Sequence, residues 1–227
     1  MTATNNERYK GNSPEMAGLN GTILSFIAEH VPDNNDPICS WYHKQYLKRG
    51  QGFAPYGDSI ALFLSEHGKQ FDRLTEIGAG IGQSCIQFAA QGWDTVAVEN
   101  GTLQYSLMEQ LLDRVKAVAP AVRARIETHR LAFPEQVESY FNERTIGCFF
   151  GLCSSGAPEE PMIAALRLAG GVIMETRTYF KARDPEEQLE LIKKIVKLGF
   201  ESPIPIWDSS AHPDFWTTKL VYFKKAR

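Results

Sequence analysis

A glycine-rich run bounded by two acidic residues is the part of the sequence best suited to bind a ligand. Residues 74–83 read LTEIGAGIGQ, with Glu76 two residues before Gly78, and with Gly80 and Gly82 following at alternate positions. Glycine permits positive φ and lets a ligand approach the backbone without meeting a Cβ. We expect a strand to enter this run and a helix, with unpaired N–H groups at its start, to leave it.

A second acid, Glu99, is expected to end the following strand, and Asn100 comes directly after it. In open parallel sheets, ligands bind at the carboxyl ends of strands near the point where the strand order reverses, and an acid there can accept both hydroxyls of a ribose. The sequence therefore predicts a nucleoside-containing ligand lying across the first two strands. The residues expected to bind it are Glu76, Gly78, Ala79, Gly80, Gly82, Glu99 and Asn100.

The spacing of the glycines bears on which nucleoside is bound. A dinucleotide fingerprint reads GxGxxG and places a pyrophosphate at the helix N-terminus. This chain reads GxGxG, and a carboxylate at Glu76 would repel a pyrophosphate but suit a ligand that carries an ammonium or sulfonium group. A nucleotide (NAD)-dependent oxidoreductase is the alternative that this spacing disfavours.

Hydrophobic periodicity from residue 71 onward alternates between strands and helices. Five β-α units are followed by a helix that begins at 184–185 and by two strands, near 203–207 and 217–223. The link between these last strands is too short for a crossover helix, so they should pair antiparallel. We predict an α/β fold with a doubly wound, seven-stranded, mainly parallel sheet and a C-terminal antiparallel hairpin.

The first part of the chain predicts a helical N-terminal extension. Residues 1–70 are expected to form an extension or lid packed on the same domain, and residues 71–227 a Rossmann-like catalytic domain. Residues 1 to about 17 are polar and expected to be loose. Helices are predicted near 19–30, from Pro37 to about Gly50, and over 59–67 with Gly68 as a left-handed stop. A further helix is predicted over 134–142.

Four aromatic or imidazole side chains are candidates for binding a substrate. Tyr42 and His43 lie on the second predicted helix, where they either pack in the ordinary way or face a substrate from a lid. Tyr56 lies in a glycine-rich loop, where it either reaches the ligand or only shapes the turn. Tyr179 lies beyond the fifth strand, on a loop often used for substrate contacts. The sequence does not indicate which residue, if any, acts as a general base.

On the glycine run, Glu99 and the predicted hairpin, the sequence resembles the class I S-adenosylmethionine-dependent methyltransferases over about residues 71–225. The first motif of that family is an acid, any residue, then GxGxG, matched here by Glu76, Gly78, Gly80 and Gly82. The family's ribose-binding acid corresponds to Glu99. The resemblance implies S-adenosylmethionine as cofactor and transfer of its methyl group by in-line displacement.

The acceptor is less well indicated than the cofactor. Residues 149–153 read FFGLC where enzymes that methylate amino groups of nucleobases or glutamine often carry (Asp/Asn)-Pro-Pro-(Tyr/Phe), which counts against those substrates. The net charge is −3 and the basic residues are scattered, so no nucleic-acid partner is indicated. We therefore predict a small-molecule methyl acceptor, with a non-catalytic S-adenosylmethionine-binding module as a further alternative.

The composition bears on metal binding, on the cellular compartment and on membrane insertion. The five histidines are far apart and the four cysteines form no CxxC pair, so we expect no metal site, with buried thiols in a reducing, cytoplasmic compartment. No apolar run approaches the roughly 20 residues of a membrane span, and the polar N-terminus does not predict a secretory signal. The sequence does not indicate an oligomeric state.

Overall fold

Helices and strands alternate along the part of the chain that the computed structural model describes, residues 13–32, 36–131, 136–150, 166–175, 185–208 and 219–226. The helices are α1 (Pro14–His30), α2 (Pro37–Tyr42), α3 (Gly57–His67), α4 (Gln83–Ala90), α5 (Thr102–Val118), α6 (Pro120–Arg123) and α7 (Pro185–Lys197). The strands are β1 (Arg73–Ile77), β2 (Asp94–Glu99), β3 (Ile126–Arg130), β4 (Thr145–Phe149), β5 (Gly171–Glu175), β6 (Ile204–Asp208) and β7 (Lys219–Lys224). A π-helical turn, His43–Leu47, continues α2, and a 3₁₀ turn, Glu138–Tyr140, precedes β4.

The seven strands form one sheet in the order β3-β2-β1-β4-β5-β7-β6. Strand β1 pairs in parallel with both β2 and β4, so the strand order reverses at this place. Strand β7 pairs antiparallel with β5 and with β6. The predicted doubly wound, seven-stranded, mainly parallel sheet with a C-terminal antiparallel hairpin is confirmed.

The two faces of β1 have different roles because side chains alternate along a strand. Ile77 packs with Val98 and Phe149 in the apolar core of one face. Glu76 belongs to the other face, where Cys85 of α4 contacts it. An acidic side chain is therefore enclosed between the sheet and the helix that follows the glycine run.

The N-terminal helices pack against α4 and α5. Buried residues of α1, among them Leu19, Ile23 and Phe26, share one apolar cluster with Leu111 and Val115 of α5. None of the described helices is long and apolar enough to cross a membrane.

The prediction that the chain is loose to about residue 17 is wrong from Pro14 onward, where α1 begins; residues 1–12 lie outside the described residues. The Ser13 side chain accepts a hydrogen bond from the backbone N–H of Met16 (3.2 Å), and proline stands at the first helical position. This serine–proline pair supplies a good helix start.

Three local predictions also differ from the structure. Gly68 ends α3 at φ −88°, not in the left-handed region. A Cβ there would lie 2.5 Å from the carbonyl oxygen of Leu64 and 2.9 Å from Trp93, so the close approach explains the glycine. The second helix is α-helical only to Tyr42 and then turns π-helical. Within its described part, the helix predicted over 134–142 is a single 3₁₀ turn.

Candidate functional site

The glycine run forms a tight loop folded onto the end of β2. Gly78, Gly80 and Gly82 have φ values of +73°, +59° and +83°, in the region that side chains with a Cβ rarely adopt. The N–H groups of Gly78 and Ala79 both donate to the carbonyl oxygen of Val98, at 2.8 and 3.0 Å. The loop therefore joins β1 to α4 at the place where the strand order reverses.

Glu99 ties the end of β2 to this loop. Its Oε2 accepts a hydrogen bond from the N–H of Gly80 (2.8 Å), and its Oε1 accepts one from the N–H of Gly101 (2.7 Å). The N–H of Asn100, whose side chain is exposed, also donates to this carboxylate. Burial raises the pKa of Glu99, and these three bonds offset part of the rise. Since a carboxylate offers about four acceptor positions, roughly one remains for a ligand hydroxyl.

Glu76 lies beneath the loop and is only 4% exposed. Its Oε2 accepts a hydrogen bond from the thiol of Cys85 (3.1 Å), and Ser84 also bonds to the carboxylate from the first turn of α4. Burial raises the pKa of Glu76 to about 8. Glu76 therefore holds its proton at neutral pH. We expected a charged Glu76 to repel a pyrophosphate, and because the protonated side chain is neutral, this repulsion is small.

The buried acid gives the fold a pH dependence. Folding raises the pKa of Glu76 from 4.5 to about 8, so the folded state holds a proton that the unfolded chain releases above pH 4.5. We expect the free energy of unfolding to fall by about 2–3 kcal/mol between about pH 6 and about pH 9 through this group. Glu76→Gln should remove that part of the slope in chemical denaturation experiments.

A matched control for this prediction is Glu29→Gln. The pKa of Glu29 is lowered to about 2, first by its hydrogen bond from Arg114, so Glu29 is ionised in both states over this pH range. Its replacement should leave the slope unchanged. An unfolding free energy that depends on pH equally in wild type and Glu76→Gln would contradict the assignment.

Tyr42 reaches the glycine loop from the end of α2. Its Oη accepts a hydrogen bond from the N–H of Ile81 (3.1 Å). A Cβ placed on Gly80 would lie 2.3 Å from this oxygen. Burial raises the pKa of Tyr42 well above its usual range, and the nearby Glu99 adds to the rise. The phenol therefore stays protonated against the middle glycine.

His43, although next in sequence, has its Nε2 2.8 Å from the carbonyl oxygen of Val31, at the end of α1. This contact fixes the start of the π-helical turn to α1. The described contacts of His43 therefore tie one helix to another, and they do not reach the glycine loop.

Tyr56 lies in an aromatic cluster at the carboxyl ends of β4 and β6. Its ring is buried and has centroid distances of 5.1 Å to Phe150 and 5.9 Å to Trp207. Phe88 of α4 contacts Phe150 at 6.3 Å. The fourth candidate, Tyr179, lies outside the described residues.

Several contacts of the site have no counterpart in the sequence analysis. The N–H of Ile81 donates a hydrogen bond to Tyr42 Oη, and the N–H of Gly101 donates one to Glu99 Oε1. The only indication for Gly101 is its position two residues after a strand-end acid. Ser84 and Cys85 follow the glycine run directly, so their contact with Glu76 was open to inference from the first turn of α4.

Among the described residues, no group of three or more histidine, cysteine, aspartate or glutamate side chains could hold a metal ion. The acids near the loop are instead paired with backbone N–H groups, a thiol and a hydroxyl. Such an environment suits polar groups of an organic ligand.

Comparison with known proteins identifies the fold. No protein-family model matches the sequence, and no curated protein matches it. A putative O-methyltransferase from Klebsiella pneumoniae has a TM-score of 0.58 at 13% identity, over 96% of this chain and 92% of its own. The glycopeptide N-methyltransferase MtfA, solved with (S)-adenosyl-L-methionine, has a TM-score of 0.54 at 14% identity, over 77% of this chain and 94% of its own.

A third solved structure is similar over nearly the whole chain. The putative RNA methyltransferase from Pyrococcus horikoshii has a TM-score of 0.53 at 13% identity, over 92% of this chain and 100% of its own. This chain therefore has the fold of the class I S-adenosylmethionine-dependent methyltransferases. These three proteins are named for different acceptors, so the fold favours no acceptor class.

Proposed function

We propose that this protein binds S-adenosylmethionine at the glycine loop and transfers its methyl group to a small-molecule acceptor. The observation that carries the proposal is the 2.8 Å hydrogen bond from the N–H of Gly80 to Glu99. It brings an acid at the end of β2 against the loop that follows β1, where the strand order reverses. An acid so placed binds the ribose of a nucleoside ligand in folds of this type.

The occupied amides of the loop favour this cofactor over a dinucleotide. A pyrophosphate is bound by free N–H groups at the start of the helix. Here the N–H of Gly80 donates to Glu99 and the N–H of Ile81 donates to Tyr42. A pyrophosphate would have to displace both bonds and lie beside a carboxylate, whereas a ligand whose sulfonium carries a positive charge meets no such repulsion.

The chain's part in the reaction is to bind and align. The sulfonium of S-adenosylmethionine supplies an already activated methyl group. The residues around the loop then serve to hold the acceptor atom and the methyl group about 3–3.5 Å apart and in line. Glu99 orients the ribose through its carboxylate, and the loop fixes Glu99 through the N–H groups of Gly80 and Gly101. We assign no general base.

A small acceptor is supported by the way the N-terminal region packs beside the glycine loop. We propose that residues 1–70 form a lid on the catalytic domain of residues 71–227. The loop before α3 is pinned from two sides: the N–H of Gly52 donates to Asn20 of α1 (2.7 Å), and Gln83 of α4 donates to the carbonyl oxygen of Gly52 (3.0 Å). The buried rings of Tyr56 and Trp207 make the adjoining wall apolar. A pinned loop beside an apolar wall suits a small molecule better than a polymer.

Calorimetric titration of the purified protein tests the cofactor first. S-Adenosylmethionine and S-adenosylhomocysteine should bind in the micromolar range, and NADH should not. Preferential binding of NADH would favour the alternative of an oxidoreductase. If neither adenosyl ligand binds, the proposed methyltransferase activity is overturned. A panel of small hydroxyl, amine, thiol and carbon acceptors then follows, with formation of S-adenosylhomocysteine as the readout. Binding without turnover on that panel would favour a non-catalytic module.

A further inference from the structure

The hydroxyl of Tyr42 is a buried donor with no acceptor among the described residues. Tyr42 is 4% exposed. Its Oη accepts one hydrogen bond, from the N–H of Ile81, and within the described parts of the chain it donates none. A buried polar group of this kind is costly unless it is paired. The hydroxyl oxygen lies beside Gly80, in the candidate cofactor site.

Two acids lie near this hydroxyl, and both are committed to other partners. Glu99 accepts from the N–H of Gly80, next in the chain to the Ile81 N–H that donates to Tyr42, and Glu76 is buried beneath the same loop. The carboxylate of Glu99 accepts from the loop amides, and that of Glu76 accepts from Cys85 and Ser84. Tyr42 therefore remains a neutral donor in a region otherwise rich in acceptors.

The ring that carries this hydroxyl is held firmly. It lies edge-on to Trp41, with ring centroids 5.0 Å apart, and is stacked on Tyr46 at 6.0 Å. The next residue, His43, begins the π-helical turn and contacts Val31. Short π-helical turns are frequent at functional sites. The hydroxyl is thus placed in advance of ligand binding, which lowers the entropy lost on binding.

We propose that Tyr42 binds the carboxylate of the cofactor's amino-acid end, an inference that rests on the proposed function. The parts of S-adenosylmethionine differ in what they need. A ribose hydroxyl can donate to Glu99, whereas the α-carboxylate only accepts and would be repelled by the carboxylate of Glu99. Tyr42 supplies the neutral donor that this carboxylate requires, beside the loop that the cofactor crosses.

The test compares two ligands on three proteins. The ligands are S-adenosylhomocysteine and its decarboxylated analogue, which keeps the amine and the adenosine. The proteins are wild type, Tyr42→Phe and, as a matched control from the same aromatic stack, Tyr46→Phe. Wild type and Tyr46→Phe should bind S-adenosylhomocysteine about tenfold or more tightly than the analogue, as a hydrogen bond to a charged acceptor predicts. In Tyr42→Phe the two ligands should bind within about twofold of each other.

Each result decides between a ligand contact and a purely structural role. If Tyr42→Phe weakens the binding of both ligands equally, Tyr42 only shapes the loop. If it changes neither affinity, Tyr42 neither binds the carboxylate nor shapes the loop. Either result overturns the inference. The wild-type comparison stands even where Tyr42→Phe folds poorly, because equal affinity of wild type for the two ligands also overturns it. Failure of wild type to bind S-adenosylhomocysteine at all overturns the proposed function itself.

Discussion

Replacing Gly80 by alanine is expected to abolish measurable binding of S-adenosylhomocysteine and to lower the free energy of unfolding by about 2–5 kcal/mol. Gly80 has φ +59°, a conformation that costs a residue with a Cβ about 1–2 kcal/mol. The added methyl group would also lie 2.3 Å from Tyr42 Oη, and the packed ring of Tyr42 has little room to retreat, which adds about 1–3 kcal/mol. Calorimetry and chemical denaturation measure the two effects.

Two further variants separate backbone strain from the clash. Gly199 has φ +89° with no atom within 4 Å of a Cβ, so Gly199→Ala should cost about 1–2 kcal/mol of strain and leave ligand binding unchanged. In the Tyr42→Phe background the oxygen is gone, and the next atom of Tyr42 lies 3.6 Å from the new methyl, an ordinary contact. Gly80→Ala should then cost no more than Gly199→Ala. An equal cost of Gly80→Ala in both backgrounds would refute the clash.

Glu99→Ala is expected to weaken S-adenosylhomocysteine binding about 10- to 100-fold. The variant removes one charge-assisted hydrogen bond to the ribose, worth about 1.5–3 kcal/mol. It also leaves the N–H groups of Gly80 and Gly101 without their acceptor, so the loop loses its attachment to β2. Glu99→Gln keeps one oxygen acceptor and should show a smaller loss. Calorimetric titration gives the affinities.

The control for Glu99 lies at the other end of the same strand. Asp94 is an exposed acid paired with Arg125, and Asp94→Ala should leave the affinity within about twofold of wild type. A ligand lacking both ribose hydroxyls identifies the contact, because its affinity should fall much less on Glu99→Ala than that of the parent ligand. Equal losses for the two ligands would show that Glu99 acts only by holding the loop.

The sheet could be predicted because its determinants are local. A β-branched, apolar stretch such as residues 95–98 has few alternatives to a strand, and the short link between the last two strands requires antiparallel pairing. The glycine run could be recognised for the same reason, since three glycines, each with positive φ, lie within five residues. The use of this loop for a particular ligand stays a prediction.

The contacts that complete the candidate site depend on distant parts of the chain. Tyr42 and Ile81 are 39 residues apart, and no periodicity indicates that a helix end will reach a loop amide. The change from α- to π-helix at His43 has no sequence signature either, since tertiary contacts such as the one with Val31 hold it. The start of α1, in contrast, has a local signal in the sequence, because Ser13 and Pro14 form a serine–proline helix start. The polar composition of the first 17 residues favoured a loose segment instead.

The position of β7 within the sheet sets an order on strand pairing during folding. Strand β7 lies between β5 and β6 and pairs with both. Until β7 is available, β6 lacks the neighbour it pairs with, and β5 presents an open edge. The β1–β2–β4 region that carries the glycine loop can form earlier, from residues already made. An open edge of this kind is prone to pairing with other chains, so aggregation should concentrate in the interval before Lys219–Lys224 joins the sheet.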